Sequence, residues 1–275
     1  MAENTIGFIG GGNMACSLIG GLIADGCIPQ HIWVSEPQPE RRAALQQQFG
    51  IRTTASNPET AAASQTLVLA VKPQMMATVV KEVAAVVAAN RPLIVSIAAG
   101  VRETAIRAWL GYDASIVRAM PNTPALVRTG ATTLYANPHV NSDEENRAES
   151  VLRSVGITLW LSDEALLDAV TALSGSGPAY LFLVMEIMEG AARKMGLPAE
   201  TARLLTLQTA FGTAKMALES EYDVAALRAQ VTSPGGTTER AIDVLERGGL
   251  ADLFTAALVA ARNRAQELGH TLEET

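Results

Sequence analysis

Cysteine is scarce in this chain. Only Cys16 and Cys27 occur among 275 residues, and neither stands in a C-x-x-C pair. That excludes a disulfide framework and a cysteine-built zinc site. It also suits a reducing compartment, so the expected location is cytoplasmic. Histidine is equally scarce, with three residues. His31 precedes an apolar run, His139 lies in the turn "NPHVN", and His270 is in the tail. None belongs to an acid/base or ligand constellation, and no metal is expected.

Positive charge is short as well. The chain has 21 Lys and Arg against 28 Asp and Glu, a net charge of −7. With no basic stripe, nucleic acid and anionic membranes are not expected partners. The N-terminus "MAENTIGFIG" lacks a charged segment followed by a long apolar one, so no signal peptide is read there. The most apolar helical stretch, 179–188, is interrupted by Glu186. It falls short of the ~18–20 apolar residues needed to span a bilayer. The expectation is a soluble protein with no membrane partner.

What the chain does have is apolar material for a sizeable core. It is 48% hydrophobic and 18% charged, and its length suits one large domain or two ordinary ones. Short apolar runs at 5–10, 32–35, 66–71, 93–98, 115–119, 132–136 and 157–161 alternate with helical patterns near 13–25, 38–49, 75–88, 102–109 and 142–154. Alternating strands and helices predict a mostly parallel sheet covered on both faces. After Ser162 the strand signal stops. Helical patterns follow at 163–173, 177–195, 198–219, 223–230, 237–247 and 250–268. The predicted fold is therefore α/β: a Rossmann-type dinucleotide-binding domain over 1–161 and an all-α domain over 162–275. A helical region this size, with one segment apolar nearly all round, has more apolar surface than it can bury alone. Part of that surface is expected to meet another subunit.

Directly after the first apolar run stands Gly10-Gly11-Gly12-Asn13-Met14-Ala15, the G-x-G-x-x-A fingerprint of a dinucleotide site. Gly10 permits a tight turn, Gly12 lets the backbone approach a pyrophosphate, and Ala15 keeps the helix close to the strand. The helix N-terminus that follows offers N–H groups and partial positive charge to the phosphates. Glu36 ends the second run, where an acid bonds a ribose 2′-hydroxyl. Ser35, Arg41 and Arg42 stand beside it and suit a 2′-phosphate instead. Three further turns close later runs: Ala70-Val71-Lys72-Pro73, Ala98-Ala99-Gly100, and the turn carrying Asn122 between Pro121 and Pro124. In an open parallel sheet all of these belong to the ligand-binding edge.

Two Gly/Ser/Thr-rich segments mark the helical half: "LSGSGPAY" (173–180), which contains Ser176, and "SPGGTT" (233–238). Each leads into a helix and presents hydroxyls and N–H groups suited to an anion, most simply a carboxylate. Neither contains His, Cys or Lys. Reduction of a ketone needs a proton donor for the developing alkoxide. A protonated imine already carries its charge on nitrogen. A site of hydroxyls and amides without a strong acid fits an iminium substrate that bears a carboxylate.

"GFIGGGNMA", "AVKPQ", "SIAAG", "RAMPNTPA", "ALSGSGPAY" and "VTSPGGTTERAIDVLE" occur in the order and at the spacing of pyrroline-5-carboxylate reductase. In these motifs the chain resembles that family over nearly its whole length. The resemblance implies reduction of 1-pyrroline-5-carboxylate to L-proline, the last step of proline biosynthesis. NADPH would be the donor, with NADH as an alternative. It implies a homodimer formed through the helical domain; many members of the family assemble further into decamers. Carried over by position, Thr238 would hydrogen-bond the imine nitrogen. Ser233, Gly236 and Thr237 would hold the substrate carboxylate, with Ser176 also on the substrate side and Glu221 at the far side of that pocket, in the partner subunit's helical region. Gly10 to Ala15, Asn57, Ala70, Lys72 and Ala98 would line the cofactor. Glu36 departs from members that place a small hydroxyl residue there.

Two alternatives stand beside this reading. A β-hydroxyacid dehydrogenase has the same domain pairing, but its catalytic lysine would fall where this chain has Leu181. A non-enzymatic nicotinamide-nucleotide sensor would need the fingerprint but not the SPGGTT segment.

Overall fold

The computed structural model describes residues 5–273. Eight strands form a single sheet in the order β3-β2-β1-β4-β5-β6-β7-β8. They are β1 (Ile6–Ile9), β2 (Ile32–Ser35), β3 (Arg52–Thr54), β4 (Thr66–Leu69), β5 (Leu93–Ser96), β6 (Ile116–Met120), β7 (Gly130–Ala136) and β8 (Gly156–Leu161). Every pairing is parallel except β6 with β7. The connecting helices are α1 (Asn13–Ala24), α2 (Pro39–Phe49), α3 (Asn57–Ala63), α4 (Met76–Asn90), α5 (Glu103–Leu110) and α6 (Ser142–Arg153). This is the mostly parallel sheet that the alternating pattern predicts.

The strands place successive side chains on opposite faces, and each face packs its own core. Phe8 of β1 joins Leu18 and Ile19 of α1, Val34, Val95, Leu134 and Leu152. Its neighbour Ile9 joins Leu67 and Leu69 of β4, Met76 and Val80 of α4, Ile94 and Ile106 on the other side. The pair β3 and α3 is absent from the sequence expectation. Strand β3 has three residues, none of them apolar. Helix α3 is a seven-residue segment whose start is set by the side chain of Ser56 accepting the Glu59 N–H. Neither is long enough to show a hydrophobic period.

The chain divides into two compact units. One holds the chain up to Ser176 and again from Ala260; the other is Gly177–Val259. After β8 the backbone winds through α7 (Leu167–Val170) and a π-helical turn, Thr171–Gly175, before α8 (Gly177–Lys194). Then come α9 (Ala199–Glu219), α10 (Val224–Gln230), α11 (Thr237–Arg247) and α12 (Leu250–Glu273), with the division between units falling inside α12.

Within Gly177–Val259 only Ala202 and Thr206 are buried among the described residues. Large apolar side chains stand open there, among them Phe182, Leu204, Phe211 and Leu218. The helical run Glu164–Lys194 is, by length and composition, long and apolar enough to cross a membrane. This corrects the sequence-based estimate, which weighed 179–188 alone. Helical turns continue through Ser176 and join segments that the pattern reads as separate.

Candidate active site

The dinucleotide fingerprint lies where the strand order turns back on itself. From β1 the chain runs outward to β2 and β3, then crosses to β4 on the other side of β1. Such a switch point opens a crevice at the carboxyl ends of the strands. Gly10 sits at its base with φ +98, and a Cβ there would stand 2.7 Å from the Ala70 carbonyl oxygen. Its N–H donates to the Ser35 carbonyl at 2.9 Å, and the Ala70 N–H donates to the Ile9 carbonyl at 2.9 Å. The turn is therefore bound to both neighbouring strands. A Cβ on Gly12 would meet nothing within 4 Å, so this side of the loop is open. The first helical bond of α1 runs from the Cys16 N–H to the Gly12 carbonyl at 2.9 Å. The N–H groups of Asn13, Met14 and Ala15 precede it and face outward as donors at a helix N-terminus. An open loop with orphan donors at its end fits a pyrophosphate.

The crevice is a cavity of about 270 Å³, lined by Gly12 to Ala15, Ala70 to Lys72, Ile97, Met120 and Pro121. Of the sequence-expected residues, the structure brings together the glycine loop and the turn after β4 here, with Pro73 opening a short helical turn next to Lys72. Ile97, Met120 and Pro121 were not anticipated. The last two belong to the same "AMPNTPA" turn as Asn122, so the turn carried the signal.

Asn122 is occupied in holding that turn. Its side-chain carbonyl accepts the Ala131 N–H at 2.9 Å, and its amide donates to the Ser174 carbonyl at 3.2 Å. Ala98 is buried, and Gly100 stands against Ala265 and Gly269 of α12. The side chain of Asn57 donates to Glu82 at 2.8 Å.

At the end of β2 the groups are arranged unevenly. The Ser35 hydroxyl is buried and points to the Phe8 carbonyl at 3.5 Å. The Glu36 carboxylate accepts the Gly11 N–H and the Gln38 N–H, each at 3.2 Å. Arg41 donates from Nε to the Gly11 carbonyl at 2.7 Å, with the same nitrogen 4.0 Å from the Glu36 carboxylate. Arg42 donates to the carbonyls of Glu36 and Pro37 at 2.7 and 2.9 Å. Burial pushes the Cys16 thiol up from its ordinary value, and the charge of Arg41 partly offsets this.

A buried ionic cluster ties the segment after β8 to the sheet. Arg118 of β6 meets the Glu164 carboxylate at 2.7 Å, and the Glu103 N–H donates to the same oxygen at 2.7 Å. Arg102 meets Asp168 at 2.5 Å. Burial pulls the Arg118 guanidinium below its ordinary value, against the opposing charge of Glu164. The cluster and Asn122 hold the two ends of the stretch that carries Ser174 and Ser176. Sequence reading had no access to it, because it pairs residues far apart in the chain.

In the helical unit, Gly235 adopts φ +72 and Gly236 caps α11 without a side-chain bond. The Gly236 N–H donates to the Ser233 carbonyl at 3.0 Å, closing the turn. The first helical bond comes from Arg240 to Gly236 at 3.3 Å, so the N–H groups of Thr237 and Thr238 lack an intrahelical acceptor. A carboxylate already sits on this turn: Glu239 accepts the Gly235 N–H at 2.8 Å. Ser233, Gly236, Thr237 and Thr238 are thus gathered at one helix entrance. Glu221 lies in the exposed turn between α9 and α10, and Ser176 ends the π-helical turn of the sheet-containing unit.

Residues 164–268 match the family model described as pyrroline-5-carboxylate reductase dimerisation, and residues 5–100 match one described as NADP oxidoreductase, coenzyme F420-dependent. The chain is 50% identical over 272 residues to a pyrroline-5-carboxylate reductase of Pseudomonas aeruginosa, covering 99% of both chains. Its fold superposes on a solved pyrroline-5-carboxylate reductase of Coxiella burnetii with a TM-score of 0.92 at 49% identity, covering 97% of this chain and 98% of the other. A Plasmodium falciparum pyrroline carboxylate reductase solved with NADP bound gives a TM-score of 0.87 at 29% identity, covering 98% and 99%. On the strength of the glycine loop, the SPGGTT turn and these full-length likenesses, the chain belongs to the pyrroline-5-carboxylate reductase family of oxidoreductases.

Proposed function

We propose that this protein reduces 1-pyrroline-5-carboxylate to L-proline with NADPH or NADH, as the last step of proline biosynthesis. The carrying observation is the Ser233–Thr238 turn, whose geometry already seats one carboxylate, that of Glu239, on a backbone N–H. Substrate of this class carries a carboxylate next to a ring C=N bond. The Thr237 and Thr238 N–H groups at the start of α11 supply donors for that carboxylate, with the Ser233 and Thr237 hydroxyls beside them. Thr238 directs its hydroxyl to the ring nitrogen and holds the proton that nitrogen carries in the product.

The dinucleotide supplies a hydride to the C=N carbon. The glycine loop fixes its pyrophosphate, and the Ala70–Lys72 turn, Ile97, Met120 and Pro121 shape the crevice around it. Within the sheet-containing unit, Asn122 positions the turn that carries Met120 and Pro121. Asn57, Pro73, Ala98, Ala99 and Gly100 support this edge of the sheet.

The protein works as a homodimer through its helical unit. A unit with only Ala202 and Thr206 buried cannot be stable on its own packing. A second copy would cover the apolar faces of α8 and α9. The match of residues 164–268 to a dimerisation family supports the same assembly. The free thiols of Cys16 and Cys27 fit a reducing cytoplasm. Steady-state assays test the reaction. NAD(P)H is expected to be consumed with 1-pyrroline-5-carboxylate and its product proline to appear, with no turnover of 3-hydroxy acids. The reverse pattern would overturn the reading.

A further inference from the structure

We infer that Gly175, at the end of the π-helical turn, is a positioning residue for the nicotinamide end of the crevice. Its missing side chain is the space that keeps the Met120 methyl group out of the ring's place. This rests on the dinucleotide reading of the glycine loop and deepens it.

Side chains alternate along a strand, so Arg118 and Met120 lie on the same face of β6. The stretch from Glu164 to Gly175 meets that face at both of its ends. Glu164 is held by Arg118 at 2.7 Å. At the other end the Ser176 N–H reaches back five residues to the Thr171 carbonyl at 2.8 Å. The Ser174 carbonyl accepts the Asn122 amide at 3.2 Å, two residues beyond Met120. Single π turns inside helices recur at functional sites. Here the turn is tied to the strand end that forms a wall of the crevice.

Gly175 comes close to Met120 itself. A Cβ built on Gly175 would collide with the terminal methyl of Met120, while the Thr171 methyl would stand at an ordinary 3.8 Å. The Gly175 backbone is not left-handed, unlike that of Gly10 or Gly235. Conformation therefore does not call for glycine at this position; the methionine does. Met120 lines the crevice with Ile97 and Pro121. The pyrophosphate loop follows β1, with β2 on one side of that strand and β4, β5 and β6 in order on the other. A dinucleotide laid across such a switch point puts its adenosine on the β2 side and its nicotinamide on the β4 to β6 side. A side chain at position 175 drives the Met120 methyl towards its open side, which is the crevice. The nicotinamide end then narrows, and the pyrophosphate and adenosine ends keep their shape.

Isothermal titration of the full-length protein with NADP⁺ and with 2′-phospho-ADP-ribose reads the two ends separately. The second ligand is NADP⁺ without its nicotinamide. Gly175→Ala should weaken NADP⁺ about tenfold and leave 2′-phospho-ADP-ribose within about twofold. Retained binding of the second ligand also reports a folded site. Turnover of 1-pyrroline-5-carboxylate should fall about tenfold or more, because a displaced ring misaligns the hydride. Met120→Leu removes the atom that reaches Gly175. In that background Gly175→Ala should change NADP⁺ binding and turnover by less than about twofold. Unchanged NADP⁺ affinity in Gly175→Ala would overturn the inference. So would an equal loss for both ligands, or a loss in the Met120→Leu background as large as in the wild type. If the wild type bound neither ligand, the dinucleotide site itself would fall, and the inference with it.

Discussion

The sheet-containing unit and the helical unit differ in how they bury apolar residues. The first packs two complete cores, one on each face of its sheet. The second has helices as long as any in the molecule, yet Leu204, Phe211 and Leu218 stand 64%, 64% and 83% exposed. Their sequences are similarly apolar, so the difference lies in partners rather than composition. A strand finds its neighbours within its own sheet. An apolar helical face on a small unit stays open until something covers it, and the match of residues 164–268 to a dimerisation family points to another chain. Each unit also has one Gly-rich helix entrance: Gly10 to Ala15 in the first, Ser233 to Thr238 in the second.

The sharpest way to break this comparison is to charge the open face. Phe211→Asp replaces a residue that is mostly exposed in the single chain, where a substitution ordinarily costs within about 0.5 kcal/mol. If the face is covered by a second copy, the change should abolish the dimer and lower helicity. Sedimentation velocity and circular dichroism read both. An unchanged dimer would remove Phe211 from the interface.

The same logic reversed applies to Phe8, which is fully buried in the sheet. Phe8→Ala should cost about 3–5 kcal/mol through lost burial and a residual cavity. Denaturant titration measures it, and the oligomeric state should be unchanged below the transition. Thr238→Ala probes the ligand end of the helical unit. Turnover should fall ~10- to 100-fold, equivalent to about 1.4–2.7 kcal/mol of transition-state stabilisation. Nucleotide binding by the sheet unit should be unchanged, and an unaltered kcat would take Thr238 out of the reaction.

The smallest effect concerns Glu149 of α6, which accepts from Thr158 at 2.9 Å and Trp160 at 3.3 Å on the edge strand β8. These bonds hold its carboxyl below the ordinary 4.5. A depressed carboxylate stabilises the fold above its unfolded value and loses that contribution as pH falls through its folded one. Glu149→Gln should therefore lower Tm slightly at pH 7, with the gap closing as the pH drops below about 4.5. A gap independent of pH would contradict this.

Most of the sheet was legible because each strand but one carries an apolar run bounded by turn residues. The exception, β3, shows why local pattern fails: three polar residues become a strand only because β2 lies beside them. The glycine loop and the SPGGTT turn were legible because their chemistry sits in consecutive residues. The partners of Glu36 and the Arg118–Glu164 pair were not. They join groups distant in sequence, where residue type reveals the charge but not what it touches. Residue type likewise named Ser35 a candidate phosphate ligand, while its place on an inward-facing strand position spends the hydroxyl inside the fold.

The central claim is that the two helix entrances divide the work, one for the dinucleotide and one for the carboxylate. A crystal structure with proline and NAD⁺ bound tests it most directly. The account expects the proline carboxylate on the Gly236–Thr238 end of α11, its ring nitrogen beside the Thr238 hydroxyl, and the pyrophosphate at Gly12 to Ala15. Proline bound elsewhere, with the Ser233–Thr238 turn empty, would contradict it.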